Sequence, residues 1–154
     1  MVELVIVVII IGILGAVAVP RYLDTLANYR ANATARRIVA DLKMAIRRAQ
    51  QTSTSQTVVF DVVDSSYEVT GMNDLDRSSE VYEHRLPEIV DQAKLVSADF
   101  GGSSTLAFDI YGRPSSAGTI VFNVGRSDQT IEIEQSGNII APTQAEIAAL
   151  EAGP

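Results

Sequence analysis

Residues 1–20 form an almost unbroken apolar run, MVELVIVVIIIGILGAVAVP, whose only charged residue is Glu3. As a helix, a run of this length reaches across the hydrocarbon core of a bilayer. An unpaired ionised carboxylate in hydrocarbon costs at least a few kcal/mol, so an acidic residue there usually has a partner or a function. The pattern predicts an apolar stalk in which Glu3 has a specific role.

Three residues weaken this stalk as a helix. Gly12 and Gly15 add backbone freedom, and Pro20 removes a backbone donor and clashes with the carbonyl four residues earlier. A kink or local melting is therefore expected between Gly12 and Pro20. The small residues also permit the close approach of a second helix.

Residues 21–51 change to the pattern of a soluble amphipathic helix. Apolar residues recur there at steps of three and four, which is the spacing of one helix face. They are Leu23, Leu26, Ala27, Ala31, Ala35, Ile38, Val39, Leu42, Ala45, Ile46 and Ala49. We expect the C-terminal half of this face to lie on a folded head, and the polar stretch 50–56 to end the helix.

The remainder of the chain alternates short apolar segments with turn residues, which is typical of β-strands. Strands are predicted at 57–63, 67–70, 81–86, 95–100, 105–110, 119–124, 129–134 and 139–140. The first two form a hairpin, and the last four form an antiparallel meander whose apolar face needs a cover. A polar loop is expected at 71–80, residues 88–94 fit either a helical turn or a loop, and Thr143 caps a short helix within 142–152.

These patterns predict an α+β protein in which one long N-terminal α-helix, apolar stalk plus amphipathic half, packs on an antiparallel β-sheet head. The helix occupies residues 1–52, of which 1–20 form the membrane or filament-core segment, and a β-rich globular head occupies 53–154. No basic residue precedes the apolar run and no small-residue cleavage motif follows it. The run is therefore expected to be retained in the mature protein.

The charge is divided unevenly along the chain. Residues 1–50 carry seven basic and three acidic residues, a net charge of +4, whereas the rest carries five basic and sixteen acidic residues, a net charge of −11. Opposite charges on helix and head can steer copies of one chain together. The acidic head argues against general nucleic-acid binding, which depends on Lys and Arg neutralising phosphates.

The basic residues of the helix allow three interpretations. They are solvent-facing charge, contacts with the acidic heads of neighbouring subunits, or a weak contact with DNA. The candidates for intersubunit charge contacts, called here the stalk arginines, are Arg30, Arg36, Arg37, Arg47 and Arg48.

The stalk resembles the conserved N-terminus of the type IV filament superfamily, the type IV pilins and the pseudopilins of type II secretion. The spacings of that family are matched by the adjacent pair Glu3 and Leu4 and by Gly12, Pro20 and Tyr22. The head, particularly residues 108–114 and 137–139, is similar to that of the H-type minor pseudopilin. The family's basic leader and the two residues that usually precede the position of Met1 are absent, so the sequence resembles a mature or truncated form.

The resemblance implies a structural subunit of a type IV pilus-like or type II secretion pseudopilus filament. Its partners are then identical or homologous pilin subunits and the filament assembly machinery. It resides in the inner membrane before assembly and in an extracellular or periplasmic filament afterwards. Glu3 is expected to meet the N-terminal ammonium of a neighbouring subunit, and residues 12–20 to melt on packing. The assembly residues so implied are Glu3, Gly12, Gly15, Pro20 and Tyr22.

Candidate chemistry is sparse elsewhere. Alternating oxygens at Asp74, Asp76, Ser78 and Glu80 resemble a calcium loop but lack the glycine that its sharp bend needs, so a solvated loop is expected. His84 is the only histidine and the chain has no cysteine, which predicts a surface or strand histidine rather than a zinc ligand or general base. No serine lies in a Gly-x-Ser-x-Gly elbow and no glycine loop fits a phosphate. We therefore expect no enzyme activity, metal or cofactor.

A second class of function fits the same pattern. The chain could be a monomeric membrane-anchored binding module of the periplasm or cell exterior, with the helix serving only as an anchor. Such an anchor has no need of Glu3, so monomers that never polymerise would favour it. An anchored enzyme is a third alternative, but the sequence assembles no catalytic set.

Overall fold

A single long helix forms the N-terminal third of the computed structural model, which describes residues 2–73 and 81–142, without the side chains of residues 15–21 and 24. This helix, α1, spans Val2–Thr52. Its C-terminal half buries one face at steps of three and four residues: Ala31, Ala35, Ile38, Leu42, Ala45 and Ala49. The predicted apolar face is confirmed in this half.

The backbone of α1 is helical without interruption between Gly12 and Pro20. The local melting predicted from these residues is therefore not observed in the single chain. Proline removes only one backbone donor, and a helix with intact turns on both sides can continue past that loss.

The head consists of two four-stranded antiparallel sheets within the described residues. The order is β3-β2-β1-β5 in the first sheet and β4-β6-β7-β8 in the second. The strands are β1 (Gln56–Asp61), β2 (Ser66–Asn73), β3 (Val81–Arg85), β4 (Ala93–Asp99), β5 (Thr105–Phe108), β6 (Gly118–Val124), β7 (Ser127–Ile133) and β8 (Ile139–Ile140). A short helix, α2 (Leu86–Ile89), connects β3 to β4.

Helix α1 covers the inner faces of both sheets. It contacts β1 and β5 of the first sheet and β6 and β7 of the second. The core beneath it contains Phe60, Tyr67, Phe108 and Phe122, all almost fully buried. This arrangement confirms the predicted α+β class, because alternating strand residues supply one apolar face that the helix face covers.

The predicted β5–β6 hairpin is wrong. β5 pairs with β1, whereas β6 pairs with β4 and β7. The turn at Gly112 does reverse the chain, since Ser115 N donates to Ala107 O at 2.7 Å and Phe108 bridges to Pro114. The chain then leaves for the second sheet after this single bridge. The strand alternation was sound, but alternation specifies the face of a residue and not the partner of its strand.

Other boundaries shift by a few residues. The β1–β2 hairpin forms as predicted, although β1 ends at Asp61 and β2 extends to Asn73, into the predicted polar loop. The undecided segment 88–94 contains the end of α2 and the start of β4. The remainder of the polar loop, with its calcium-like oxygens at Asp74, Asp76, Ser78 and Glu80, and the helix predicted to follow Thr143 lie outside the described residues.

Candidate assembly site

The N-terminal part of α1 carries a continuous exposed apolar surface. Over residues 2–14 the large apolar side chains are each 50 to 73% exposed: Val2, Leu4, Val5, Ile6, Val7, Val8, Ile9, Ile10, Ile11, Ile13 and Leu14. Contiguous apolar surface of this kind marks an interaction site in a protein, because water around it is released on contact. We call residues 2–14 the apolar segment.

The predicted assembly residues all lie on α1. Glu3 is exposed in its first turn, where a carboxylate also interacts favourably with the helix dipole. A side chain at Gly12 would meet no atom within 4 Å, so another molecule could approach the helix there. Gly15 and Pro20 are part of the unbroken helical backbone, and Tyr22 is 69% exposed.

The five stalk arginines divide into two groups. Arg37 binds Asp41 within the chain, and Arg48 Nη2 lies 3.4 Å from Gly71 O in the head. The other three, Arg30, Arg36 and Arg47, are exposed and form no ion pair with any residue that the structure describes. Their role in intersubunit contacts stays a prediction.

A polar cluster around the buried carboxylate of Asp41 joins α1 to the first sheet. The carboxylate of Asp41 accepts from the Tyr67 hydroxyl at 2.5 Å and from the Tyr82 hydroxyl at 3.0 Å, on its two different oxygens. Arg37 Nε donates to Asp41 Oδ2 at 3.2 Å, and Arg37 Nη2 lies 3.0 Å from His84 Nε2. Since a guanidinium only donates, His84 Nε2 is the acceptor of this hydrogen bond. These five residues form the Asp41 cluster.

The electrostatics of the cluster keep both tyrosines neutral. Burial, and then the negative charge of Asp41, raise the pKa of Tyr67 far above its usual value. The same two causes raise the pKa of Tyr82. Partial burial is the largest single effect on Arg37 and would lower its pKa, but the attraction of Asp41 and the hydrogen bonds to Asp41 and Tyr82 together outweigh it, and the pKa rises. The cluster thus holds one carboxylate with one fixed cation and two neutral hydroxyl donors.

Sequence reasoning assigned no role to Asp41 and regarded His84 as a surface or strand residue. His84 does lie on a strand, β3, but it faces inward and packs edge-on to the Tyr82 ring at 4.5 Å. One signal was available. Asp41 directly precedes Leu42 and follows Ile38 by three, so it borders the buried helix face, where a carboxylate needs partners.

A second contact between helix and head lies at residues 109–113. Asp109 Oδ1 accepts from the amides of Tyr111 and Arg113 at 2.9 and 2.8 Å, and hydrogen bonding from the Arg113 amide is the leading cause that lowers the pKa of Asp109. Gln50 Nε2 then donates to Tyr111 O at 2.9 Å. The turn is therefore fixed against the C-terminal end of α1.

Comparison with solved structures identifies this arrangement of helix and sheets. Two structures of the minor pseudopilin EpsH from the type II secretion system of Vibrio cholerae match it with TM-scores of 0.56 and 0.57, at 14% and 12% identity. They cover 73% and 76% of this chain and 98% and 99% of theirs. The type IV minor pilin FimU of Pseudomonas aeruginosa matches with a TM-score of 0.53 at 13% identity, over 73% of this chain and 93% of its own. The chain has a pilin-like fold.

This pilin-like fold agrees with the resemblance read from the stalk and from the head. No protein-family model and no curated protein sequence matches the chain. The likeness therefore lies in the arrangement of elements, with few identical residues. In this fold one helix, α1, has an exposed apolar segment in its N-terminal part and packs on the head with its C-terminal half.

Two further observations concern the described residues alone. Over 2–73 and 81–142, no group of three or more His, Cys, Asp or Glu side chains is placed to hold a metal ion. Within the same part of the pilin-like chain, no helix meets the length and hydropathy needed to cross a membrane.

Proposed function

We propose that this protein is a structural subunit of a type IV pilus-like or type II secretion pseudopilus filament. The observation that carries the proposal is the exposed apolar segment on a helix whose other half is held to a folded head. Its pilin-like fold supports the same role. The subunit itself catalyses no reaction in this proposal.

Burial among neighbouring copies supplies the driving force for assembly. Fully burying a Val, Leu or Ile side chain contributes about 1.5–3 kcal/mol, and the apolar segment offers a row of them. Copies related by a contact between two different surfaces continue into an open helical filament rather than a closed dimer. The apolar segment would be held in the inner membrane, with the assembly machinery drawing subunits from it.

Glu3 and the small residues have defined roles in this proposal. The carboxylate of Glu3 meets the N-terminal ammonium of a neighbouring subunit, which offsets the cost of burying either charge alone. Gly12 and Gly15 permit the close approach of neighbouring helices, and Pro20 weakens the backbone so that residues 12–20 can loosen on packing. Tyr22 is 69% exposed on the same helix and is available for contact with a neighbouring copy.

The test is Glu3→Gln, which removes the charge and keeps the shape, measured beside wild type in cells that express the assembly machinery. Sheared surface material is examined by negative-stain microscopy, and its subunit is identified by mass spectrometry. We expect loss of most filaments with an unchanged circular dichroism spectrum of the purified full chain. Filament yield equal to wild type would contradict the role of Glu3. A wild-type chain that stays monomeric throughout would favour a membrane-anchored binding module instead.

A further inference from the structure

The face of α1 that points away from the head carries a regular pattern. Tyr22, Tyr29, Arg36 and Lys43 follow one another at intervals of seven residues, and Ala33, Ala40 and Arg47 lie beside them on the same side of the helix. All seven side chains are exposed, with Tyr29 at 74%. We call these seven residues the outward stripe. Because seven residues nearly equal two helical turns, the stripe runs almost straight along the helix.

The charged and aromatic members of the stripe have no ion-pair or ring partner among the residues that the structure describes. Arg36, Lys43 and Arg47 form no ion pair with a described residue, and the rings of Tyr22 and Tyr29 make no aromatic or cation contact with one. The head uses such a contact elsewhere, since the Arg113 guanidinium lies over the Tyr111 ring at 5.2 Å from its centre. The stripe therefore offers two aromatic rings followed by cations, with alanines between them where another helix can approach closely.

The order of these residues determines which arrangement of two parallel helices is favourable. In register, each cation of the stripe faces the same cation of the other copy, and the like charges repel. A shift of seven residues still brings Arg36 beside Lys43. A shift of fourteen residues, about 21 Å along the axis, places Tyr22 beside Arg36 and Tyr29 beside Lys43. In that position every aromatic ring of the stripe faces a cation, which is an attractive pairing.

We propose that the outward stripe is a contact surface for the helix of a second copy of this chain, parallel and displaced by fourteen residues. The proposal rests on the proposed filament function and specifies one of its contacts. The outward stripe and the apolar segment lie on the same helix, α1, so a filament that buries the apolar segment also brings the helices of neighbouring copies close to the stripe. The contact joins the tyrosine half of one stripe to the cationic half of the next, and such a contact repeats along a filament without closing.

Disulfide trapping measures the displacement directly, because the chain contains no cysteine of its own. Ala40 belongs to the outward stripe, and Leu26 lies beside the stripe fourteen residues earlier. Neither residue is charged or aromatic, so its replacement leaves the proposed pairs intact. Filaments of Leu26→Cys/Ala40→Cys chains are oxidised with copper phenanthroline and run on a non-reducing gel. We expect a ladder of linked subunits from the double variant and monomers from each single variant.

Other results overturn the proposed contact. A dimer from the Ala40→Cys single variant would indicate helices in register. A ladder from Ala33→Cys/Ala40→Cys, with none from the Leu26 and Ala40 pair, would indicate a shift of seven residues. Wild-type filaments with no ladder from any pair would exclude the stripe as a contact and leave the proposed function intact, whereas absence of wild-type filaments would contradict the function itself.

Substitutions test the chemistry of the contact. Tyr29→Leu keeps an apolar side chain but removes the aromatic face, and we expect at least a threefold loss of filament yield. Tyr29→Phe and Lys43→Arg keep ring and charge and should remain near wild type. Lys43→Gln should reduce filament yield as much as Tyr29→Leu does. The double variant should have a yield no lower than either single variant, because both substitutions remove the same pairing of Tyr29 with Lys43. Additive losses would contradict the pairing.

If Lys43→Gln instead abolished retention of duplex DNA with filament yield unchanged, the stripe would be a nucleic-acid surface.

Discussion

The Tyr67 hydroxyl donates to Asp41 Oδ2 at 2.5 Å across the interface between the first sheet and the long helix. Both residues are almost fully buried. Hydrogen bonds to an ionised group are stronger than those between neutral groups, and a buried carboxylate without them would be costly. This contact therefore joins β2 to α1 at Asp41, and its loss should affect stability.

We expect Asp41→Asn to lower the free energy of unfolding of the head by about 2–4 kcal/mol, because the substitution leaves Arg37 beside a neutral group and disturbs both tyrosine hydroxyls. Tyr67→Phe should cost about 1–3 kcal/mol, the contribution of a hydrogen bond to a charged group. Urea denaturation of the full chain in detergent, followed by near-ultraviolet circular dichroism, measures both. Asp128→Asn, an exposed carboxylate, is the matched control and should change stability by less than about 0.5 kcal/mol. An Asp41→Asn chain as stable as this control would contradict the importance of the cluster.

Stability should fall in alkaline solution because the pKa values of Tyr67 and Tyr82 are raised in the folded chain. In the unfolded chain a tyrosine loses its proton above about pH 10, while the folded cluster keeps the hydroxyls neutral. The stabilisation is complete below that pH and is lost as pH rises toward the folded pKa, by up to about 1.4 kcal/mol per pH unit for Tyr67 and by less for Tyr82. Urea titrations at about pH 9 and pH 11 measure this decline.

The double variant Tyr67→Phe/Tyr82→Phe has no hydroxyl to titrate at these positions. Its stability should start lower and then decline less steeply above about pH 10 than that of wild type. Parallel curves for the two proteins would show that these tyrosines do not cause the alkaline loss.

Periodicity predicted which residues of the head are buried but not the pairing of every strand. Ile131 and Ile133 face inward and Glu132 faces outward, as their alternation indicates. The partner of β5 depended on the chain between Phe108 and Gly118, which turns at Gly112 and then crosses to the other sheet. The spacing of apolar residues within each strand carries no information about that crossing.

The candidate site was predictable to a similar extent. The apolar segment can be recognised in the sequence because it is one almost unbroken run of apolar residues. Glu3 can be recognised because it is the only charged residue in that run. The partners of Asp41 are not, because they depend on the registers of β2 and β3, where Tyr67 lies opposite His84 and Val69 opposite Tyr82. Residues that are 26 and 41 positions away along the chain meet one carboxylate only once the sheet has formed.

Gly112 should be intolerant of a side chain for two separate reasons. Its φ is +81°, and a Cβ there would lie 2.7 Å from Ile46 Cγ2 and from Gln50 Nε2 on α1. Gly102 has a similar φ of +90° but open space around it, so Gly102→Ala is the matched control for backbone strain alone. We expect Gly112→Ala to lose about 1–3 kcal/mol more than the control. If urea denaturation gave the two variants equal losses of unfolding free energy, the contact of the added Cβ with α1 would cost nothing.

The two halves of α1 should respond in opposite ways to the same substitution. Ile38 is 1% exposed beneath the head, so Ile38→Ala removes core packing and should cost about 2–5 kcal/mol of unfolding free energy. Ile6 is 51% exposed in the apolar segment, so Ile6→Ala should leave head stability within about 0.5 kcal/mol of wild type while reducing filament yield. Urea denaturation and sheared-filament yield are measured on both variants. If Ile6→Ala instead destabilised the head and spared the filaments, the apolar segment would be part of the subunit core and not its assembly surface.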